Sequence, residues 1–255
     1  MIELSTGDNQ VFSAYRADPE GAPRGAVVVL QDVFGVTADI RKLADGFAAA
    51  GYVAVAPALF DKVKASTELD CSDDGESAGR GLVAEVGTEW PLSAIQATVD
   101  SVQDAGKVAV VGFSWGGYLA YHAANRVRGL ACAIGYYAGG ILDGAREKRR
   151  VPTLLHFAEH DAYLPEEDIV QFRAARPDVS AFLYPGASHG FSCAAGATYD
   201  ASAAQAAQER TLFWISQYVV GQGPVLLKNA GAYAQAKTDK KGRKQADSDM
   251  GPPDA

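Results

Sequence analysis

Apolar residues along the chain form two alternating patterns, short continuous runs and longer segments with helical spacing. Residues 25–30 and 52–56 are continuous apolar runs, which are typical of strands covered on both faces. Between them, apolar side chains recur at the spacing of one helix face from Thr37 until Gly51. This strand–helix–strand order predicts right-handed crossovers and a mostly parallel sheet.

The same alternation predicts the remaining elements. Residues 2–17 alternate weakly around a Gly-Asp-Asn turn, which indicates an antiparallel hairpin at the edge of the sheet. Further patterns predict strands at 107–113, 130–137, 152–158 and 180–184, and helices at 90–105, after 114, at 165–175 and at 201–220. We therefore expect an α/β fold with a twisted, mostly parallel sheet of about seven or eight strands and helices on both faces.

The length and the local composition suggest one folded domain with a tail. A chain of 255 residues with 48% hydrophobic residues can bury a core of α/β size, and we expect a single domain over residues 1–223. Residues 60–89 break the alternation, since they carry eight carboxylates against three bases; they form either a flap beside the active site or an ordinary variable loop. Residues 224–255 lack packing periodicity and are expected to be disordered.

Charge and composition exclude several classes of function. A formal net charge of −8 argues against nucleic acid as the main partner. No apolar run approaches the roughly 18 residues of a membrane span, and the N-terminus does not resemble a signal peptide, so we expect a cytoplasmic protein without a membrane partner. The three cysteines have no metal-like spacing, which suggests neither a disulfide framework nor a metal site.

One motif carries candidate chemistry. Residues 112–116 read G-x-S-x-G between a buried strand and a helix, the context of a nucleophile elbow with Ser114 as nucleophile. Glycines on both sides of the serine allow a turn so tight that its hydroxyl projects above the sheet. The alternative is a serine in an ordinary glycine-rich turn. The backbone N–H groups of Trp115 and of Val33, after the first buried strand, would form the oxyanion hole.

A serine nucleophile needs a base and an orienting acid, in the chain order Ser, Asp or Glu, His. Of four histidines, His189 alone lies in a loop after the final predicted strand, so we expect it to be the general base. Asp161 follows the neighbouring strand and is the expected acid, although a helix-capping Asp is the alternative. Glu159 and Asp143 also follow strands and remain rivals for the role.

Several motifs together resemble the dienelactone hydrolase (carboxymethylenebutenolidase) family. They are Gln31–Val36, Gly51–Pro57, the elbow from Gly112 to Gly117, the Tyr136-Tyr137 pair, Glu159–Asp161 and Ser188–Phe191. The resemblance implies a single-domain α/β-hydrolase fold that opens small esters or lactones without a cofactor or metal. We therefore expect a small-molecule ester or lactone as the partner, whereas the sequence leaves open whether the protein is a monomer or a homodimer.

Within these motifs, we expect Asp32, Phe34, Tyr137 and Phe191 to contact the substrate. The alternative for Asp32 is a purely structural acceptor, because a serine nucleophile has no resting thiolate for it to regulate. The family usually has cysteine where this chain has Ser114, Glu where it has Asp32, and an arginine where it has Cys193. Arg80, in the segment 60–89, is the candidate that would replace that lost positive charge.

Three interpretations therefore stay open. The chain is a natural serine member of the family, or a member whose cysteine was replaced to trap a complex. The third is a catalytically silent α/β-hydrolase scaffold, because an intact triad does not prove turnover.

Overall fold

The structure, a computed structural model, describes residues 1–221 and is built on one eight-stranded sheet. The predicted tail at 224–255 lies outside the described residues. The strands are β1 (Ile2–Ser5), β2 (Val11–Ala17), β3 (Ala26–Leu30), β4 (Val53–Pro57), β5 (Val108–Phe113), β6 (Leu130–Tyr136), β7 (Thr153–His160) and β8 (Ser180–Ser188). Their spatial order is β1-β2-β4-β3-β5-β6-β7-β8. The hairpin β1–β2 is antiparallel and joins β4 antiparallel, whereas all other pairs are parallel.

Residues 1–221 contain six α-helices, of which the first five lie between strands and the last follows β8. They are α1 (Ala38–Ala49), α2 (Asp73–Val86), α3 (Glu89–Ser101), α4 (Trp115–Arg126), α5 (Glu166–Ala175) and α6 (Ala201–Ile215). Short 3-10 turns follow α3 and β6, and a π-turn extends α6 to Val220. Within residues 1–221, no helix has the length and apolar character needed to cross a membrane.

The sheet is covered on both faces, as the continuous apolar runs predict. Along β3, Val27 and Val29 pack in the same cluster as α1 and α6. The alternate residues Val28 and Leu30 pack with α3 and α4 on the other face. Because successive side chains point to opposite faces, a five-residue strand with every residue buried must lie between two helical layers.

Residues 60–89 contain more regular structure than the sequence suggests. Helix α2 has 14 residues, and it is capped by Ser72, whose hydroxyl accepts a hydrogen bond from the Gly75 N–H at 3.1 Å. Gly79 packs so closely on the loop after β3 that a Cβ there would lie 2.0 Å from the carbonyl oxygen of Val33. This contact brings α2 beside the carboxyl ends of the central strands.

The carboxyl ends of β3, β5, β7 and β8 lie at one edge of the sheet, because these strands are parallel. The loops at this edge carry Val33, Ser114, Asp161 and His189. Strand β8 continues to Ser188, four residues beyond the predicted end, so His189 follows directly. Functional groups from distant parts of the chain therefore meet where sites in open α/β sheets commonly lie.

Candidate active site

Ser114 occupies a strained turn between β5 and α4. Its backbone angles, a φ of 52° and a ψ of −113°, lie outside the regions that residues other than glycine usually adopt. The flanking glycines are required by close packing. A Cβ on Gly112 would lie 1.9 Å from the carbonyl oxygen of Gly116, and one on Gly116 would lie 2.4 Å from that of Gln31. The backbone thus has the geometry predicted for a nucleophile elbow.

Three side chains form a continuous hydrogen-bonded chain. Ser114 Oγ lies 2.9 Å from His189 Nε2. On the other side of the ring, His189 Nδ1 lies 2.9 Å and 3.0 Å from the two carboxylate oxygens of Asp161. A carboxylate only accepts hydrogen bonds, so Nδ1 carries the hydrogen and Nε2 is free to accept from the serine hydroxyl.

Asp161, and neither rival carboxylate, is hydrogen-bonded to His189. The Asp161 side chain is buried, and it also accepts a hydrogen bond from the Tyr163 N–H at 2.8 Å. It does not cap α5, whose N-cap residue is Pro165. Glu159 instead accepts a hydrogen bond from the Gly186 N–H at 2.7 Å, and Asp143 is exposed on the wall of the cleft.

The other three histidines lie outside this arrangement. His156 is buried in β7 between the hydroxyls of Tyr184 and Thr211, and burial lowers its pKa to about 3. His122 lies on α4, and His160 is exposed. Of the four histidines, His189, which the sequence predicts to be the general base, is therefore the one hydrogen-bonded to Ser114.

Two tyrosine rings, from the loops after β6 and β7, pack against the imidazole of His189. Tyr137 packs edge-on at 5.0 Å between ring centroids, and Tyr163 packs edge-on at 4.8 Å. The Tyr163 hydroxyl donates to Glu76 of α2 at 2.5 Å. The sequence does not predict that Tyr163 packs on His189, because its position two residues after Asp161 follows no hydrophobic pattern.

The predicted oxyanion donors, Val33 and Trp115, line the same cleft as Ser114. The N–H groups of Val33 and Trp115 donate to no group within residues 1–221, which leaves both available to a ligand. Asp32 shapes the loop that carries Val33, since its Oδ1 accepts from the Phe34 N–H at 2.8 Å, the pattern of an Asx turn. Burial raises the pKa of the Asp32 carboxyl to about 6.

The cleft above Ser114 has a volume of about 620 Å³. Its walls come from α2, from the start of α4 and from the loops after β3, β6 and β7. They include Val33, Val83, Trp115, Tyr118 and Tyr163. The indole of Trp115 is held in place by stacking on Phe60, with the ring centroids 5.2 Å apart. The segment 60–89 thus supplies one wall of the cleft.

The five expected substrate-contacting residues do not share one cavity. Arg80 lines the cleft, whereas Asp32 and Tyr137 line a neighbouring cavity of about 460 Å³, and Phe34 lines neither. The expectation for Phe191 is wrong, because its side chain is fully buried against Tyr136, Tyr137 and Tyr184 in the core. A residue after a strand can face either the cleft or the core, and the sequence does not distinguish the two.

Arg80 is not a free positive charge. Its guanidinium is 2.7 Å from Glu76 and lies over the ring of Tyr163 at 4.0 Å from the centroid. The Arg80 side chain is 47% exposed, so this ion pair contributes little to stability. The main consequence of the ion pair is that Glu76 largely offsets the positive charge of Arg80, which was expected to attract a substrate carboxylate.

The chain is similar to proteins of one family over most of its length. The model of the dienelactone hydrolase family matches residues 12–219. The chain is 31% identical over 234 residues to a putative carboxymethylenebutenolidase of Azospirillum brasilense, covering 86% of this chain and 98% of the relative. It is 29% identical over 225 residues to the carboxymethylenebutenolidase of Pseudomonas putida, covering 84% and 95%.

A solved structure supports the same grouping. The crystal structure of a putative dienelactone hydrolase from Klebsiella pneumoniae superposes with a TM-score of 0.74 at 25% identity, covering 84% of this chain and 98% of that one. This likeness, with the eight-stranded and mostly parallel sheet, confirms the expected α/β-hydrolase fold.

Proposed function

Because the chain belongs to the dienelactone hydrolase family, whose members act on esters or lactones, we propose that it cleaves small carboxylic esters or lactones through an acyl-enzyme on Ser114. The observation that carries the proposal is the hydrogen-bonded chain from Ser114 through His189 to Asp161. Each group has the partner that its role requires, and the strained serine backbone aims the hydroxyl at the cleft.

In the first step, Ser114 Oγ attacks the carbonyl carbon of the substrate while His189 Nε2 takes the hydroxyl proton. Asp161 fixes the tautomer of the imidazole and stabilises the imidazolium, without itself taking the proton. The developing oxyanion is held by the N–H groups of Val33 and Trp115, and one such donor contributes a factor of roughly a hundred to a thousand in rate.

The second half of the reaction uses the same groups. His189 returns its proton to the leaving alcohol, which in a lactone stays attached to the acyl chain as the new hydroxyl group. A water molecule then attacks the acyl carbon while His189 takes one of its protons. As the bond between the acyl carbon and Ser114 Oγ breaks, His189 gives that proton to Oγ, and the acid is released with the serine hydroxyl restored. Nothing in this scheme requires a cofactor.

The cleft supports a small and weakly charged substrate. Its walls are mainly apolar and aromatic, and its volume lies within the range of small-molecule sites. Arg80 is paired with Glu76, and the exposed carboxylate of Asp143 lies on the wall, so the cleft lacks an unpaired cationic side chain among the described residues. Neutral esters and lactones fit this surface better than dianionic substrates.

Steady-state hydrolysis of a p-nitrophenyl ester and of a neutral lactone tests the proposal. Ser114→Ala and His189→Ala should each abolish turnover of both substrates. Ser93→Ala and His160→Ala are matched controls at exposed positions and should retain it. An unchanged rate in the Ser114 variant would refute the acyl-enzyme, and inactivity of the wild-type protein on all esters and lactones would favour a binding scaffold.

A further inference from the structure

Two cysteine thiols that are distant in sequence meet beside the proposed active site. The Sγ atoms of Cys71 and Cys193 lie 3.9 Å apart, although 122 positions separate the two residues. Cys71 is exposed in the segment before α2, and Cys193 is partly buried in the loop after His189. We propose that Cys71 and Cys193 form a modification site, a dithiol that small disulfide compounds oxidise to an intramolecular disulfide.

The local structure permits the bond. A disulfide requires a sulfur–sulfur distance of about 2.05 Å, so the two thiols must approach by about 2 Å. Both residues lie outside the helices and strands, where side-chain rotation and small loop shifts are least restricted. The third cysteine, Cys132, is fully buried in β6 and is excluded from the reaction.

The oxidation proceeds by two exchange steps. The Cys71 thiolate attacks one sulfur of the small disulfide RSSR, and the other half leaves as a thiolate. Cys193 then loses its proton to hydroxide in the solvent and attacks the Cys71 sulfur of the mixed disulfide. In the resting protein its thiol donates a hydrogen bond to the Asp39 carboxylate at 3.5 Å, which favours the protonated form. The second RS⁻ group leaves and is protonated, so two protein thiols are oxidised and one disulfide is reduced to two small thiols.

The surroundings make this reaction slow near neutral pH. Burial raises the pKa of both thiols, that of Cys193 to about 12, and the carboxylates of Asp32, Asp39 and Asp70 act in the same direction. Because the thiolate is the attacking form, the rate should rise with pH. Near neutral pH the oxidation therefore needs a sustained excess of disulfide.

The bond would link the α2 segment to the loop that follows the catalytic histidine. That loop is tied to the site, since Thr198 Oγ1 donates to the His189 carbonyl at 2.6 Å and Ser192 pairs with the Tyr137 hydroxyl at 2.8 Å. Helix α2 supplies Arg80 and Val83 to the cleft. A fixed α2 segment should slow turnover of bulky esters more than that of acetate esters, a consequence that rests on the proposed function.

The full chain, incubated at pH 8.5 with excess oxidised glutathione, tests the site by mass spectrometry of non-reduced peptides. The expected product is a Cys71–Cys193 linked peptide with the loss of two hydrogen atoms, Cys132 remaining free, and a melting temperature higher by about 5 °C that reductant reverses. Cys193→Ser should retain a glutathione adduct on Cys71 and show no such rise.

Two results would overturn the proposal. One is a wild-type chain that keeps glutathione on Cys71 without the internal link, and the other is a disulfide between two chains through Cys71. The mass readout does not depend on turnover. A protein that forms the link but is inactive on esters and lactones in its reduced form would therefore refute the proposed function and leave the modification site standing.

Discussion

Replacing Asp32 by Asn should stabilise the protein in a pH-dependent way. The carboxyl is partly buried, and burial raises its pKa from 3.8 to about 6. A raised carboxyl pKa means that the folded state holds the proton more tightly than the unfolded state. The stability due to this proton is complete below pH 3.8 and is lost as the pH rises through about 6. Asn removes the charge but keeps an acceptor for the Phe34 N–H.

The magnitude follows from the two pKa values. A rise from 3.8 to about 6 corresponds to about 3 kcal/mol at neutral pH. Because the side chain retains some contact with solvent, we expect a smaller effect. The free energy of unfolding of Asp32→Asn, measured relative to wild type, should be about 2 kcal/mol higher at pH 8 than at pH 4. The gain should appear mainly between pH 4 and pH 6.

Urea unfolding of both proteins from pH 4 to pH 8 measures this difference directly. Asp104→Asn, at an exposed carboxyl in the 3-10 turn after α3, is the matched control and should show no comparable change. A stability difference that is independent of pH, or that favours wild type as the pH rises, would refute the reasoning. Asp32→Ala should in addition lower kcat, since it loses the turn that positions Val33.

Three further substitutions test the elbow and the triad. Asp161→Asn should lower kcat by about ten-thousandfold while Glu159→Gln leaves most activity, and equal losses would contradict the assignment of the acid. Ser114→Cys should remain active; a gain of more than about tenfold in kcat/KM on a dienelactone, ~1.4 kcal/mol, would indicate that cysteine was the original nucleophile. Gly116→Ala should cost more than about 3 kcal/mol of unfolding free energy, because its Cβ would meet two carbonyl oxygens at 2.4 and 2.5 Å. The control Gly46→Ala, in open space on α1, should be neutral or stabilising by about 0.5 kcal/mol.

The sequence predicts the sheet and most helices well, because their hydrophobic patterns are strong. The hairpin, the buried strands and the helix predicted at 90–105 agree with the structure, in which Leu92, Ile95 and Val99 of α3 are buried. The exceptions have local causes. Helix α2 is short of apolar residues, and its Gly75 and Gly79 are buried by backbone contacts that no periodicity reveals. Strand β8 continues past Pro185, which an edge strand tolerates.

The candidate triad is more predictable than the substrate pocket. Ser114, Asp161 and His189 each follow a parallel strand, and parallel strands bring such residues to one edge. The direction of a loop side chain depends on backbone dihedrals, which the sequence does not specify. For this reason the sequence does not predict that Phe191 lies in the core rather than the cleft. It likewise predicts neither the packing of Tyr163 on His189 nor the Cys71–Cys193 contact.

The most direct test of the account is covalent labelling of Ser114 by a fluorophosphonate, followed by intact and peptide mass spectrometry. The acyl-enzyme mechanism predicts one adduct per chain on Ser114, its absence in Ser114→Ala, and strongly slowed labelling in His189→Ala, because only an activated serine attacks the phosphorus rapidly. An unlabelled wild-type chain, or an adduct on another residue at the same rate in the Ser114 variant, would contradict it.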